Sequence, residues 1–388
     1  MPAYHPEAFE LSIDEEVISD LRRRIVATRW PDPAPGDPWS QGTDLDYLRE
    51  FLRFWAEEFD WQKQQRSLNQ LHHFQVEIED VRVHYIHERA RNGTGVPLIL
   101  THGWPSCFVE YVNLIPLLTD PESHGIEGPS FDVVIPSLPG YGFSQRPGAG
   151  GVHYGYVARL WTKLMAGLGY SQYGAHGGDF GSGVSALMAL QEPDRVLGLH
   201  LTNLDIRPVE PGDRPWTAAE QEFIGERDSW AHVEGGYAAI QSTKPQTLGY
   251  GLNDSPVGLA AWILEKWRSW TDSDGDPALR LSRDFLATLL TIYWATGSIT
   301  SSMRDYFENR WHGVSVDAGT YVSVPTVIAV FSHQFVPEAE LPREWVERLY
   351  NVRRWSDMPA GGHFAPIEEP GFVAQDLAAF FATIAADR

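Results

Sequence analysis

The chain has 388 residues, 43% hydrophobic and 21% charged, a balance that excludes a disordered polymer and suits one large catalytic core with additional segments. Lys and Arg total 30 against 52 Asp and Glu, a formal charge of −22, which disfavours nucleic acid and anionic membrane as partners. The single cysteine, Cys107, excludes a disulfide framework or a cysteine-rich zinc cluster, and no apolar run approaches the ~20 residues that span a bilayer, so a cytoplasmic protein is expected.

Residues 1–70 read as helical. Ser12 with Glu15 three positions later has capping-box spacing, so a helix is expected to start at Ser12 and to carry Val17, Ile18, Leu21, Ile25 and Val26 on one face. The Pro-rich run Trp30–Gly36 ends it, and a second amphipathic stretch carries Leu45, Leu48, Phe51, Leu52 and Trp55. After residue 70 the period becomes two: residues 74–78 and 81–86 flank Glu79 and Asp80 and read as a hairpin. Short, continuously apolar strands follow at 97–101, 131–136, 173–176, 196–202 and 324–331, with helical patterns between several of them. Strands apolar on both faces and alternating with helices imply an α/β fold with a mostly parallel sheet covered on both sides. Residues 206–320 are helical and Trp-rich, an insertion expected to cap the strand ends. The division expected is therefore 1–70 helical, 71–205 core, 206–320 cap and 321–388 core.

The most specific motif is Gly177-Gly178-Asp179-Phe180-Gly181-Ser182, which follows a strand and precedes a helix. This is the sharp turn that presents a nucleophile, with Asp179 where esterases carry Ser. A carboxylate attacks an sp³ carbon by displacement and gives an alkyl ester, which water must then hydrolyse with a base and an oxyanion hole. The base candidate is His363 in Gly361-Gly362-His363-Phe364, in the chain order this fold requires. The oxyanion-hole candidates are the backbone N–H groups of Trp104, in His102-Gly103-Trp104-Pro105, and of Phe180. Taken singly, each feature is also explained by a Gly-rich turn or an ordinary loop histidine; their order along the chain is what those readings leave unexplained.

Together with Leu138-Pro-Gly-Tyr-Gly-Phe-Ser144, Gln241-Ser-Thr-Lys-Pro245 and Asn253-Asp-Ser-Pro-Val-Gly258, these motifs cover nearly the whole chain. The chain resembles α/β-hydrolase-fold epoxide hydrolases of the microsomal and juvenile-hormone type and their soluble bacterial members. That resemblance implies an α/β-hydrolase fold with a helical cap and an N-terminal helical extension, hydrolysis of an epoxide to a vicinal diol, no metal and no cofactor. The membrane anchor of some members is not expected here. The resemblance also implies two cap tyrosines, matched by Tyr237 and Tyr306, that donate to the epoxide oxygen; a phenol of pKa about 10 makes that donation without being charged itself. The triad acid departs from the family pattern: Gln334 occupies the usual carboxylate position. Glu338 in the same loop is favoured, with Glu340 and Asp205 as alternatives, each otherwise a solvated surface carboxylate.

The expected partners are a small epoxide and water, with a homodimer also considered. Trp262, Trp267, Trp270 and Trp294 suggest an apolar, aromatic pocket, although such spacing also suits a core. Bacterial relatives serve detoxification and natural-product pathways such as those of enediyne antibiotics, and the expectation leans to the latter. A haloalkane dehalogenase shares the Asp turn but often has Trp directly after the nucleophile, where this chain has Phe180. A non-catalytic binder of hydrophobic ligands is the other alternative, and Gln334 favours it.

Overall fold

The computed structural model describes residues 5–208, 210–317, 319–331 and 341–386. Nine strands make one sheet: β1 (Glu7–Ala8), β2 (His73–Ile78), β3 (Val81–Glu88), β4 (Val96–Thr101), β5 (Phe131–Pro136), β6 (Tyr173–Gly177), β7 (Val196–Leu201), β8 (Val322–Phe331) and β9 (Tyr350–Met358). Their order is β1-β2-β3-β5-β4-β6-β7-β8-β9. The pairs from β1 to β5 are antiparallel and those from β5 through β9 parallel. Every residue of β5 and β6 is buried, Asp132 and His176 included, as in strands covered on both faces. The helices Tyr154–Gly167 and Phe180–Gln191 pack on each other and on the sheet, and Pro370–Ala386 runs along β7, β8 and β9.

The topology decides where a site forms. From β4 the chain passes to β5 on one side and then to β6 on the other, so β4 and β6 are neighbours whose connections diverge. Such a reversal opens a crevice at the carboxyl ends of the strands. Thr101 at the end of β4 pairs with Gly177 at the end of β6, so the turns beginning at His102 and Gly178 emerge side by side. Between β7 and β8 come six longer helices: Ala218–Glu234, Gly236–Gln241, Pro245–Asp254, Pro256–Trp270, Arg283–Thr296 and Ile299–His312. They supply the aromatic side chains that lie against those turns.

The N-terminal helices Glu15–Val26, Leu45–Glu57 and Trp61–Leu68 clasp this helical insertion. Buried Trp55 donates its indole N–H to Thr291 at 2.9 Å, Thr43 donates its hydroxyl to the Ala261 carbonyl at 2.6 Å, and Arg24 reaches Asp254 at 2.8 Å. Two local expectations are corrected. The first helix starts at Glu15 with Asp14 as N-cap, not at Ser12; Glu15 is its first residue and so cannot fold back as the third position of a box. The first 70 residues also contain a strand, β1, which extends the sheet beside β2. Strand β9 had no sequence expectation: its Arg353, Arg354 and Asp357 sit on an edge strand, where one face is wet and the apolar run is broken. Among the described residues, no helix is long and apolar enough to cross a membrane.

Candidate active site

Asp179 is held at φ 53°, ψ −131°, a left-handed region that non-glycine residues rarely adopt. The turn stays there because its surroundings leave no alternative. A Cβ on Gly181 would lie 1.8 Å from the Thr101 carbonyl oxygen, so only glycine lets the helix Phe180–Gln191 start this close to β4. The Ser182 hydroxyl donates to the Asp179 carbonyl at 2.7 Å and accepts the Asp205 N–H at 3.0 Å, bracing the turn from the end of β7. Strain of this kind projects the Asp179 carboxylate above the strand ends instead of into the helix's first turn.

Two groups converge on that carboxylate. The Trp104 backbone N–H donates to Oδ1 at 2.9 Å. A Cβ at Gly103 would sit 2.2 Å from the same oxygen, which is why the residue before Trp104 is glycine. His363 Nε2 stands 3.6 Å from Oδ2. Phe180 opens the helix that follows, where the first N–H groups have no partner within the helix. His363 lies in the loop after β9; its N–H donates to the Trp270 carbonyl at 2.8 Å, and the Asn203 amide donates to its carbonyl at 2.9 Å. His363 Nδ1 is buried and has no hydrogen-bond partner among the described residues. Gln334, Glu338 and Glu340 lie outside the described residues. Asp205 is engaged elsewhere: it hydrogen-bonds the Tyr154 phenol and lies 3.9 Å from Arg207.

Tyr237, on Gly236–Gln241, and Tyr306, on Ile299–His312, line the same cavity as that carboxylate. The Tyr237 ring stacks on Trp104 at 5.5 Å and 11°, and Tyr306 meets Trp104 edge-on at 5.7 Å. The two tyrosine rings are 5.9 Å apart and their hydroxyls share a hydrogen bond. Burial, then the neighbouring Tyr237 and the Asp179 charge, push the Tyr306 phenol well above its ordinary range, so it is a neutral donor at any working pH. These groups line a cavity of about 380 Å³. Trp230, Trp270 and Phe180 give it an aromatic side, and Tyr154, Asp205 and Arg207 a polar one. Of the tryptophans singled out in the sequence, Trp270 reaches the cavity. Trp267 is buried flat against Phe364, Trp262 donates to Gln241, and Trp294 lies under Arg24.

A strained Asp turn therefore stands beside a histidine in a cavity that two tyrosines also line. Residues 6–111 match the family described as "Epoxide hydrolase N terminus", and residues 96–370 match "alpha/beta hydrolase fold". The chain is 39% identical to "Epoxide hydrolase 1" of Sus scrofa over 96% of its own length and 87% of that protein. It is an epoxide hydrolase of the α/β-hydrolase fold. The crystal structure of juvenile hormone epoxide hydrolase from Bombyx mori superposes with a TM-score of 0.89 at 31% identity, over 99% of this chain and 95% of that one. The epoxide hydrolase of Aspergillus niger follows at 0.84 and 29%, over 98% and 97%.

Several features of this epoxide hydrolase escaped sequence reasoning. Lys266 is buried, pairs with Glu265 at 2.5 Å and places its ammonium 4.6 Å from the Tyr237 ring centroid. Glu110 is buried near Asp179 and His363 and hydrogen-bonds Ser106; burial pushes its carboxyl up to about 7. Glu368 is buried beside His363. Each is a charged residue in an apolar context, the one signal available beforehand, but sequence alone does not say which such residues face inward.

Proposed function

We propose that this epoxide hydrolase opens an apolar epoxide bearing an aromatic group, through an alkyl ester on Asp179. One observation carries the reading: a single carboxylate sits between the Trp104 N–H at 2.9 Å and His363 Nε2 at 3.6 Å, in a cavity shared with Tyr237 and Tyr306. An Asp179 oxygen forms a bond to a ring carbon as the carbon–oxygen bond of the epoxide breaks. The electron pair goes to the departing oxygen, which takes a proton from the tyrosine pair. A water then gives a proton to His363 Nε2 and attacks the ester carbonyl. The resulting oxyanion is held by the N–H groups of Trp104 and Phe180; collapse passes the tetrahedral hydroxyl proton to the departing diol oxygen and frees the Asp179 carboxylate, and the proton held on His363 restores the tyrosine hydroxyl.

We assign the partner of His363 Nδ1 to Glu338. In support, that nitrogen is buried without a partner among the described residues, and Asp205 is engaged by Tyr154 and Arg207. Strand β8 ends at Phe331, directly before the segment that carries Gln334, Glu338 and Glu340. The aromatic half of the cavity, from Trp230, Trp270 and Phe180, supports an aromatic substrate. In this reading the chain divides into an N-terminal segment of residues 1–70, a core of 71–205 and 321–388, and a cap of 206–320; it works in the cytoplasm.

A single turnover of styrene oxide in ¹⁸O-water tests the nucleophile. Hydrolysis of an Asp179 ester leaves one solvent oxygen in the carboxylate, so mass spectrometry should find label in the Asp179 peptide. Label confined to the diol would mean direct attack by water and would remove Asp179 from its role.

A further inference from the structure

Glu368 sits on the short helix Ala365–Glu368, just after the candidate base, and is buried. Its carboxylate collects three backbone N–H groups: Gly362 at 3.0 Å and Asp272 at 2.8 Å on Oε2, and Phe364 at 2.9 Å on Oε1. Gly362 and Phe364 are the two neighbours of His363, so one carboxylate grips the chain on both sides of that residue. Asp272 belongs to the helical insertion, two residues past the end of the helix Pro256–Trp270. The same stretch makes two further ties to the loop. The His363 N–H donates to the Trp270 carbonyl at 2.8 Å, and the Gly361 N–H donates to Asp272 Oδ2 at 3.0 Å. Arg280 braces the far side, donating to the Asp272 carbonyl at 2.7 Å and to Glu369 at 2.8 Å.

A buried carboxylate with this many donors is costly to place and is destabilising unless each donor is matched. A loop of this length needs only ordinary turn hydrogen bonds to hold its shape. The geometry points to a more specific use. We infer that Glu368 is the positioning residue for His363, fixing the imidazole at Asp179 for ester hydrolysis and tying it to the cap. This rests on His363 being the base. Bond formation at Asp179 needs no base and so should not depend on the grip, whereas water activation requires His363 within hydrogen-bond reach of the attacking water. Misplacement by about 1 Å costs about a hundredfold in such a step.

The charge of Glu368 matters alongside its reach. The titratable and charged groups around it are His363 on its own segment, Glu110 on the turn Phe108–Tyr111, and Asp272 with Arg280 on the cap side. Burial pushes the Glu368 carboxyl up to about 7, opposed by its three N–H donors and by His363. When ionised it favours the imidazolium that forms as His363 takes the proton from water.

The test separates the two half-reactions by rapid-quench single turnover of styrene oxide, following the covalent ester by mass spectrometry. Glu368→Gln turns an amide NH₂ toward backbone N–H donors and removes the charge. Ester hydrolysis should slow about 10- to 100-fold, with ester formation within about twofold of wild type. The pH limb of ester hydrolysis should move to lower pH, because a neutral amide no longer favours the charged ring. Glu368→Asp keeps the charge and should restore the position of that limb, together with part of the rate. Equal slowing of both half-reactions, or an unmoved limb with normal hydrolysis, overturns the inference. If Glu368→Gln does not fold, Asp272→Ala removes the acceptor of the Gly361 N–H and should slow hydrolysis several-fold with ester formation intact; no change there overturns the inference equally. His363→Ala in the same assay separates the two claims. If His363→Ala fails to block ester hydrolysis, His363 is not the base and the inference falls with that reading. If it does block while Glu368→Gln and Asp272→Ala hydrolyse normally, the inference alone fails.

Discussion

His363 Nε2 stands 3.6 Å from Asp179 Oδ2, the oxygen that does not accept the Trp104 N–H. That distance is slightly long for a hydrogen bond, and it suits a base that must act on a water beside the carboxylate instead of on the carboxylate itself. His363→Ala should therefore form the Asp179 ester and stop. A burst of one equivalent of consumed epoxide, followed by hydrolysis slower by about 10²- to 10⁴-fold, is the expected trace. Equal loss of burst and steady state would make His363 structural.

Tyr237 and Tyr306 hydrogen-bond each other and line one cavity; in the proposed reaction both serve the one departing oxygen, so each can partly replace the other. Tyr237→Phe and Tyr306→Phe should each slow ester formation, by less than the about 2.7–4 kcal/mol that losing a sole donor to developing charge costs. The double variant should be far slower than either. Stopped-flow measurement of ester formation decides this; slowed hydrolysis with normal ester formation would contradict the role.

The partner of His363 Nδ1 is decided by charge. Glu338→Gln should slow ester hydrolysis, leave ester formation nearly intact and move the corresponding limb of the pH–rate profile to lower pH. Asp205→Asn should leave that limb in place, since the Asp205 carboxylate is engaged by Tyr154 and Arg207. If Glu338→Gln and Glu340→Gln both behave as wild type, Gln334→Glu should accelerate hydrolysis by adding the missing charge.

Glu110 supplies a stability signature. Its carboxyl is raised by burial from the usual range near 4.3 to about 7 in the folded chain. Between those values the folded state holds a proton that the unfolded state has released, so folding is favoured below the unfolded pKa and that advantage is lost as pH rises through 7. The shift corresponds to about 3.7 kcal/mol at most. Glu110→Gln removes the ionisation, so its urea midpoint should fall less than that of wild type between pH 5 and pH 8. Parallel pH dependence of the two proteins would mean that Glu110 does not titrate in this range.

Strands β4 to β8 were legible because they are largely buried on both faces and rich in apolar residues. Edge strand β9 was not, because a half-exposed strand with Arg353 and Arg354 has the composition of a loop. The first helix moved from Ser12 to Asp14 because two residues compete for one cap and sequence does not rank them by geometry. At the site, Asp179 and Trp104 come together through the register of β4 on β6, which the order of motifs implied. Tyr237 and Tyr306 were reachable only through family likeness, since 15 tyrosines give no local signal. Glu110 and Glu368 were invisible because the meaning of a carboxylate depends on burial, a property of the whole fold.

The clasp of Trp55 on Thr291, Thr43 on Ala261 and Arg24 on Asp254 bears on redesign. A chimera that exchanged residues 206–320 alone for those of another family member would present foreign side chains to the N-terminal helices and leave the Trp55 indole facing a mismatched partner in a buried site. Helices Glu15–Val26 and Leu45–Glu57 would have to travel with the graft. Recombination libraries that treat the insertion as a free module should therefore yield mostly unfolded clones, while those that co-inherit the first 70 residues should yield soluble ones with altered substrate range.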